Sequence, residues 1–192
     1  FLGKEGAPII VEGVNKDTVW GAIAILGPDA SGSVVQHTHL QGGSGGEVDG
    51  VRFTGMLSIH NASQIQLFGL RLSDNQIYDD MFHCVYCNDV QILNSVFEGA
   101  KSDAIDIDIS KKMHLKNLSI QAAGNDSIDL MTSEAAIVDS TLLSAGDKGL
   151  SVGEASVAFL VNSRLLNNAV GVESKDGSTV YAFNTDFLHN NV

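Results

Sequence analysis

The sequence is poor in positive charge and in aromatic residues, and it contains no long apolar run. Its 11 Lys and Arg stand against 23 Asp and Glu, which gives a formal net charge of −12. This balance argues against nucleic acid and anionic membranes as partners, because both require clustered cations. No apolar stretch is long enough for a membrane-spanning helix. An anionic sugar polymer would have to be bound by a local cluster of Lys or Arg, or through a bound cation.

Proline and cysteine are also scarce, with 2 of each in 192 residues. The cysteines, Cys84 and Cys87, form one C-x-x-C in the strand-like run FHCVYC. Zinc or redox chemistry would need a second ligand pair or a helix N-terminus, and only His83 and His114 lie near enough to add ligands. We interpret the pair as structural thiols, with a metal site as the alternative. The 20 Gly and 44% hydrophobic residues, many of them β-branched, indicate a β-rich fold.

What the sequence does contain is an internal repeat. A column of residues that tolerate a left-handed backbone recurs at separations of 25, 23, 22, 23 and 22 residues. Its members are Gly69, Asn94, Asn117, Asp139, Asn162 and Asn184. Apolar columns flank it two residues before and three residues after. Short alternating strands joined by bends at a period of 22–25 residues predict an all-β parallel β-helix, a solenoid of about eight coils.

The repeat runs through most of the chain, so we predict one β-helix domain over residues 1–192. A Gly-rich insertion, GGSGGEVDG at residues 42–50, is expected to loop out between two coils. The chain begins FLGKEGAP, which is typical of a mature protein or an excised segment. Solenoids normally cover their open sheet edges. We therefore expect a segment of a longer protein, packed end to end with flanking domains or subunits.

Alternation along the second strand of each coil predicts an acidic outer face. One outward column contains His83, Asp106, Asp129, Ser151 and Glu173. Three residues earlier, a second polar column contains Asp80, Asp103, Asp126 and Lys148. Asp108 follows Asp106 on the same face. Stacked like charges about 5 Å apart repel and would destabilise the sheet unless something offsets them.

Three offsets are open at this stage: a bound divalent cation, a neighbouring lysine, or a carboxyl group that keeps its proton. Oxygen ligands suit Ca²⁺ best, and the predicted metal ligands are Asp103, Asp106, Asp126 and Asp129. The same four carboxylates, with Lys148, are the predicted catalytic residues for acid/base chemistry on a sugar. The predicted substrate-binding residues are Asp80, His83, Glu154, Glu173 and Lys175. The simpler alternative is that outward Asp residues only solubilise the sheet.

The succession DDMFHC, SDAIDID, GNDSIDLMTS, GDKGLSVGE and KDGS, after WGAI and GGSG, resembles a known type of module. It is similar to the right-handed parallel β-helix modules of exported bacterial proteins, which share the pectate-lyase-like superfold. Some of these modules accompany spore-coat-kinase-like (CotH-type) domains. The resemblance covers roughly residues 8–190 and implies a right-handed solenoid and an extracellular or cell-surface location. It implies little about activity.

Three functions are compatible with these patterns. The first is an extracellular module that recognises or processes a polysaccharide or other glycan, with the acidic face as its site and Ca²⁺ as a possible aid. The second is a non-catalytic surface scaffold or adhesin segment that mediates protein assembly. The third is a polysaccharide lyase or epimerase with Lys148 or Lys175 as the base, which would require burial to lower the lysine pKa. Fold alone cannot separate them.

Overall fold

A computed structural model describes residues 1–15 and 18–192, and its architecture is a parallel β-solenoid. In these residues 24 strands form three long parallel sheets and one short antiparallel pair. The first twelve strands are β1 (Ile9–Val11), β2 (Ile23–Leu26), β3 (Val34–Gln36), β4 (Thr38–Gln41), β5 (Gly46–Val48), β6 (Val51–Phe53), β7 (Leu57–His60), β8 (Ser63–Phe68), β9 (Arg71–Ser73), β10 (Phe82–Val85), β11 (Asn88–Leu93) and β12 (Val96–Glu98). The others are β13 (Ile105–Asp108), β14 (Lys111–Lys116), β15 (Ser119–Gln121), β16 (Ile128–Met131), β17 (Glu134–Val138), β18 (Thr141–Leu143), β19 (Lys148–Gly153), β20 (Val157–Val161), β21 (Arg164–Leu166), β22 (Val170–Ser174), β23 (Thr179–Phe183) and β24 (Asp186–Leu188).

Each coil contributes one strand to each sheet. Sheet 1 contains β2, β7, β10, β13, β16, β19 and β22; sheet 2 contains β3, β8, β11, β14, β17, β20 and β23; sheet 3 contains β1, β4, β9, β12, β15, β18, β21 and β24. The predicted all-β, right-handed parallel β-helix is confirmed. The expected number of about eight coils is slightly too high: about six regular turns run from β7 to β24. An irregular turn of β2, β3 and β4 precedes them.

The predicted bend column lies between sheets 2 and 3, and all its members have a positive φ. Asn94 has φ 53°, Asn117 has φ 54° and Asn184 has φ 47°. Asparagine side chains on adjacent coils also bond to one another, with Asn117 Nδ2 donating to Asn94 Oδ1 at 2.8 Å. Asn184 Nδ2 donates to Asn162 Oδ1 at 2.9 Å. The column therefore combines backbone tolerance with a ladder of amide hydrogen bonds along the solenoid.

Two further columns of positive φ close each coil. The column after sheet 1 contains Tyr86, Ile109, Thr132 and Glu154, and the column after sheet 3 contains Asp74, Gly99, Ala122, Ser144 and Asn167. Ile109 and Thr132 are β-branched, a residue type for which a left-handed backbone is unusual. Neither column was predicted. The residue types after sheet 1 carry no local preference for such a bend, whereas Asp74, Gly99 and Asn167 after sheet 3 do carry one.

The interior of the solenoid is a stack of apolar columns. In sheet 1, Phe82 pairs in register with Ile105, and Ile105 pairs with Ile128; all three are fully buried. Cys84 and Cys87 are both free thiols in this core. Burial raises the pKa of Cys84 well above its usual value, so this thiol is a poor nucleophile and its burial agrees with a structural role.

The Gly-rich insertion only partly loops out. Residues Gly46–Val48 pair with Val51–Phe53 in an antiparallel hairpin, and Phe53 is buried. The Phe53 ring packs on His60 of β7 with 4.7 Å between centroids, so the hairpin lies against the outer face of sheet 1. In the part of the chain that the structure describes, no helix has the length and apolar character needed to cross a membrane.

Candidate functional site

The acidic outer face lies on sheet 1, as the alternation predicted. His83 pairs in register with Asp106, and Asp106 pairs with Asp129. Ser151 and Glu173 continue the same column on β19 and β22. We call the residues of this face, together with Asp80, Asp103, Asp108, Asp126, Lys148 and Lys175, the acidic strip. It crosses consecutive coils at the strand spacing of about 4.8 Å.

Two of the predicted catalytic carboxylates hold the backbone of the next coil. Asp103 Oδ1 accepts hydrogen bonds from the Asp126 backbone N–H and from Asn125 Nδ2, both at 2.8 Å. Asp126 Oδ1 accepts from the Lys148 backbone N–H at 2.8 Å. Asp126 is only 3% exposed. A role that merely solubilises the sheet would leave these carboxylates in water, whereas both accept backbone hydrogen bonds and Asp126 is buried.

This arrangement also bears on the predicted Ca²⁺ ligands. Among residues 1–15 and 18–192, Asp103, Asp126 and Asp129 belong to no group of three His, Cys, Asp or Glu side chains within reach of one ion. Of the four predicted ligands, only Asp106 belongs to such a group. The physical reason is that Asp103 and Asp126 turn towards backbone amides of the adjacent coil rather than towards a common centre.

Lys148 is a charge partner on the strip. Its Nζ lies 3.7 Å from Asp126 Oδ1 and 3.9 Å from Glu173 Oε2, and it also contacts the Asp147 carboxylate. Burial alone would lower its pKa, but the Asp147 hydrogen bond and the neighbouring carboxylates raise it overall. The hydrogen bond to Glu173 likewise raises the pKa of Lys175. These directions are opposite to the one that a lysine base requires.

Asp80 is the most N-terminal buried carboxyl of the strip. It is 4% exposed, and burial raises its pKa from 3.8 to about 6, with the charges of Asp103 and Asp79 adding to the shift. A carboxyl that binds its proton more tightly in the folded state stabilises the fold below pH 4. That stability is lost as the pH rises through 6.

We therefore expect the Asp80→Asn variant to be more stable than the natural protein above pH 7, by up to about 3 kcal/mol. Near pH 3.5 the two proteins should be equally stable, because Asp80 is then protonated in both the folded and unfolded states. Urea denaturation followed by circular dichroism at pH 3.5, 5, 6 and 8 measures the difference. Asp176→Asn removes an exposed carboxylate and serves as the control. A gain for Asp80→Asn that does not change with pH would contradict the expectation.

A second cluster on the strip contains two histidines and two carboxylates. His83 Nε2 lies 3.4 Å from Asp108 Oδ2 and 3.9 Å from Asp106 Oδ2. On the other side of the ring, His83 Nδ1 lies 3.3 Å from His60 Nε2. Burial and then the nearby His83 lower the pKa of His60 to about 4, so His60 is neutral at physiological pH. Burial, followed by Asp80 and Asp108, raises the pKa of Asp106 to about 9.

Two members of this cluster were not among the predicted site residues. Asp108 lies on the acidic face but was not assigned a role, and His60 was missed. Register could have found both, because His60 pairs with Val85 and Val85 pairs with Asp108 in one column. His60 was missed because β7 precedes the Asp-rich coils.

The remaining predicted residues lie further from the cluster. Glu154 is exposed and lies at the bend after β19, with φ 56°. Glu173 is at the far end of the strip, where its carboxylate is 3.1 Å from Lys175 Nζ. At the near end, the hairpin of β5 and β6 borders the strip, and Arg52 lies over the Tyr78 ring at 5.3 Å. The strip is thus an open surface with a wall at one end.

Comparison with known proteins places this geometry among β-helices. A family model described as "Right handed beta helix region" matches residues 38–192. No curated protein matches the sequence.

Three solved structures are similar in fold. A variant of the periplasmic alginate epimerase AlgG superposes with a TM-score of 0.71 at 10% identity, over 88% of this chain and 42% of its own. The catalytic domain of a GH87 α-1,3-glucanase gives 0.57 at 10% identity, over 91% and 42%. The pectate lyase Pel9A gives 0.50 at 12% identity, over 96% and 61%. The chain therefore spans less than two thirds of each of these proteins.

Proposed function

Because the chain belongs to the right-handed β-helix family, we propose that the outer face of its sheet 1 is a glycan site. In this proposal the acidic strip binds a neutral polysaccharide that runs across the coils, and Asp129 acts on it as the general base. The family supplies the scaffold but not the chemistry. The proposal therefore depends on the residues of the strip.

The observation that carries it is the state of Asp129. Its neighbours are engaged: Asp103 and Asp126 hold backbone amides, and Asp106 and Asp108 face His83. Among the described residues Asp129 accepts no hydrogen bond and forms no ion pair, although it is only partly exposed. It lies at the middle of the strip, between Asp106 and Ser151. A carboxylate on a paired strand that has no competing hydrogen-bond partner suits general-base chemistry.

The charges on the strip favour a neutral polymer over an anionic one. Lys148 and Lys175 are its cations, and both already face carboxylates. A uronate polymer would meet net negative charge at close range, which is repulsive. The hydroxyl groups of a neutral glycan can instead donate hydrogen bonds to the carboxylates. The solved structures of similar fold include an α-1,3-glucanase and an alginate epimerase, so they support a polysaccharide as the substrate, and the choice of a neutral one depends on the charges of the strip.

Titration calorimetry against a panel of glycans tests the proposal. The panel contains α-1,3-glucan oligosaccharides, alginate and polygalacturonate, each measured in the presence of a chelator. We expect binding heat with the neutral oligosaccharides only, and chromatography of the incubated mixture should show a changed product. If no glycan binds, or if only the uronate polymers bind, the proposal is wrong. If the oligosaccharides bind but no product forms, the strip recognises the glycan and Asp129 is not a general base.

An exported location is part of the same proposal. The similar alginate epimerase is periplasmic, which supports this location. The association with a CotH-type domain, the packing against flanking domains and the scaffold function stay predictions. Fractionation of cells that produce the natural full-length protein would test the location.

A further inference from the structure

Two adjacent strands bring a histidine and two carboxylates to one point of the strip. His83 is on β10, and Asp106 and Asp108 are on β13, where they lie on the same face two residues apart. One ligand atom from each of the three residues lies within 4.8 Å of the other two. All three sit in the regular part of the solenoid, where paired strands hold the backbone on both sides. The group is therefore placed by rigid elements rather than by a loop.

We propose that His83, Asp106 and Asp108 bind a first-row divalent transition metal ion of the zinc type. His83 Nε2 and one oxygen from each carboxylate would be the ligands. On a tetrahedral ion with ligand distances of 2.0–2.2 Å, ligand atoms are about 3.4 Å apart. The separation of His83 Nε2 from Asp108 Oδ2 is 3.4 Å and that from Asp106 Oδ2 is 3.9 Å. The ligand oxygens of Asp106 and Asp108 lie within 4.8 Å of each other, and rotation of the carboxylates would bring the three atoms to this tetrahedral spacing.

The donor types distinguish this site from the Ca²⁺ site that the sequence suggested. Calcium takes six to eight oxygen ligands, and an imidazole nitrogen is not among its usual partners. One nitrogen with two carboxylate oxygens suits Zn²⁺, Co²⁺ or Mn²⁺. The side chains of His83, Asp106 and Asp108 are 10%, 19% and 20% exposed. Three protein ligands at an accessible surface leave a coordination position for water or another molecule, as in catalytic rather than structural zinc sites.

His60 completes the arrangement as a positioning residue. Metal-bound histidines almost always use their second ring nitrogen in a hydrogen bond that sets the tautomer. His83 Nδ1 lies 3.3 Å from His60 Nε2, and the Phe53 ring of the hairpin packs on His60. When His83 donates from Nδ1 to His60, its Nε2 lone pair points towards the two carboxylates. A cation between these atoms would be attracted both by the lone pair and by the carboxylate oxygens.

The inference goes beyond the proposed glycan function and does not depend on it, because the ligands can be tested without any sugar. Chelator-treated full chain is titrated with Zn²⁺ by calorimetry, and Co²⁺ is used as a spectroscopic probe of the coordination. We expect one equivalent of Zn²⁺ to bind, with Ca²⁺ much weaker. His83→Gln and Asp108→Asn should each weaken binding at least 100-fold, and His60→Gln about 10-fold.

Matched controls separate the site from general surface binding. His114→Gln replaces an exposed histidine of sheet 2, and Asp186→Asn replaces an exposed carboxylate of sheet 3; both should leave Zn²⁺ affinity unchanged. Circular dichroism establishes that each variant folds. If a ligand variant does not fold, the Zn²⁺ affinity of Asp106→Asn and the Co²⁺ spectrum of the natural protein still test whether the metal binds at this site. Absence of stoichiometric Zn²⁺ binding, tighter Ca²⁺ binding, or equal loss in the controls would overturn the proposal.

Discussion

Replacing Asp129 with asparagine is expected to lower the turnover of α-1,3-glucan oligosaccharides by about 100-fold or more. General-base catalysis by a positioned side chain contributes about 10²–10⁴ in rate. Asparagine has nearly the same shape as aspartate but cannot accept a proton. Asp129 forms no hydrogen bond or ion pair among the described residues, so the substitution breaks no structural contact. Stability should therefore not fall below that of the natural protein, since the change also relieves like-charge repulsion on the strip.

The measurement should separate the catalytic step from binding. A loss in kcat with little change in KM is expected if Asp129 acts mainly in the transition state. Asp186→Asn removes the same charge from sheet 3, where the carboxylate lies 3.7 Å from Arg164 Nε, and should leave turnover unchanged. Retention of full kcat by Asp129→Asn, in a protein that does turn over the oligosaccharide, would remove Asp129 from the mechanism.

Replacing Phe82 with alanine should destabilise the protein by about 3–5 kcal/mol. Phe82 is fully buried and pairs in register with Leu57 on one side and Ile105 on the other. Removing its ring leaves a cavity that the neighbouring coils cannot fill, because their own strands fix their positions. Phe82 also lies directly before His83 on β10, so the cavity lies beneath the proposed metal site.

Guanidinium denaturation monitored by circular dichroism provides the test. Phe159→Ala is the matched control, because Phe159 is on the outer face of sheet 2, 38% exposed and stacked on Tyr181 at 5.2 Å. We expect it to cost about 1 kcal/mol or less. Similar losses for the two variants would mean that the interior column of sheet 1 is not the main source of stability.

A structural feature of this protein could be predicted from the sequence where the residue type at that position favours it without help from distant contacts. The bend between sheets 2 and 3 was predictable because Asn94, Asn117 and Asn162 tolerate a left-handed backbone by themselves. The bend after sheet 1 was not, because Ile109 and Thr132 adopt this conformation only where the paired strands on either side impose it. The bend after sheet 3 was missed because Ala122 and Ser144 interrupt its Asp, Gly and Asn residues. The period therefore appeared in one column although three columns carry it.

The acidic strip shows the same division. Alternation along a strand predicted which residues share the outer face, and the register of His83, Asp106 and Asp129 is the predicted one. Alternation predicts that a carboxylate is on the outer face of the sheet, but it does not predict which group that carboxylate contacts there. Asp103 and Asp126 therefore appeared equivalent to Asp129, whereas hydrogen bonds to the next coil set them apart.

By itself, then, the sequence determined the solenoid, its approximate period and the face that carries the charge, since these follow from side-chain alternation and from residues with a strong backbone preference. Only the tertiary structure decided which carboxylates are structural, that Lys148 keeps its proton, and that His60 lies beside His83. The roles of the carboxylates and the place of His60 depend on contacts between residues 22 or more positions apart, across neighbouring coils, whereas the Lys148 pKa also depends on the adjacent Asp147. Burial and hydrogen bonding at such contacts set both the orientation and the protonation of each side chain, and neither is encoded in a local pattern.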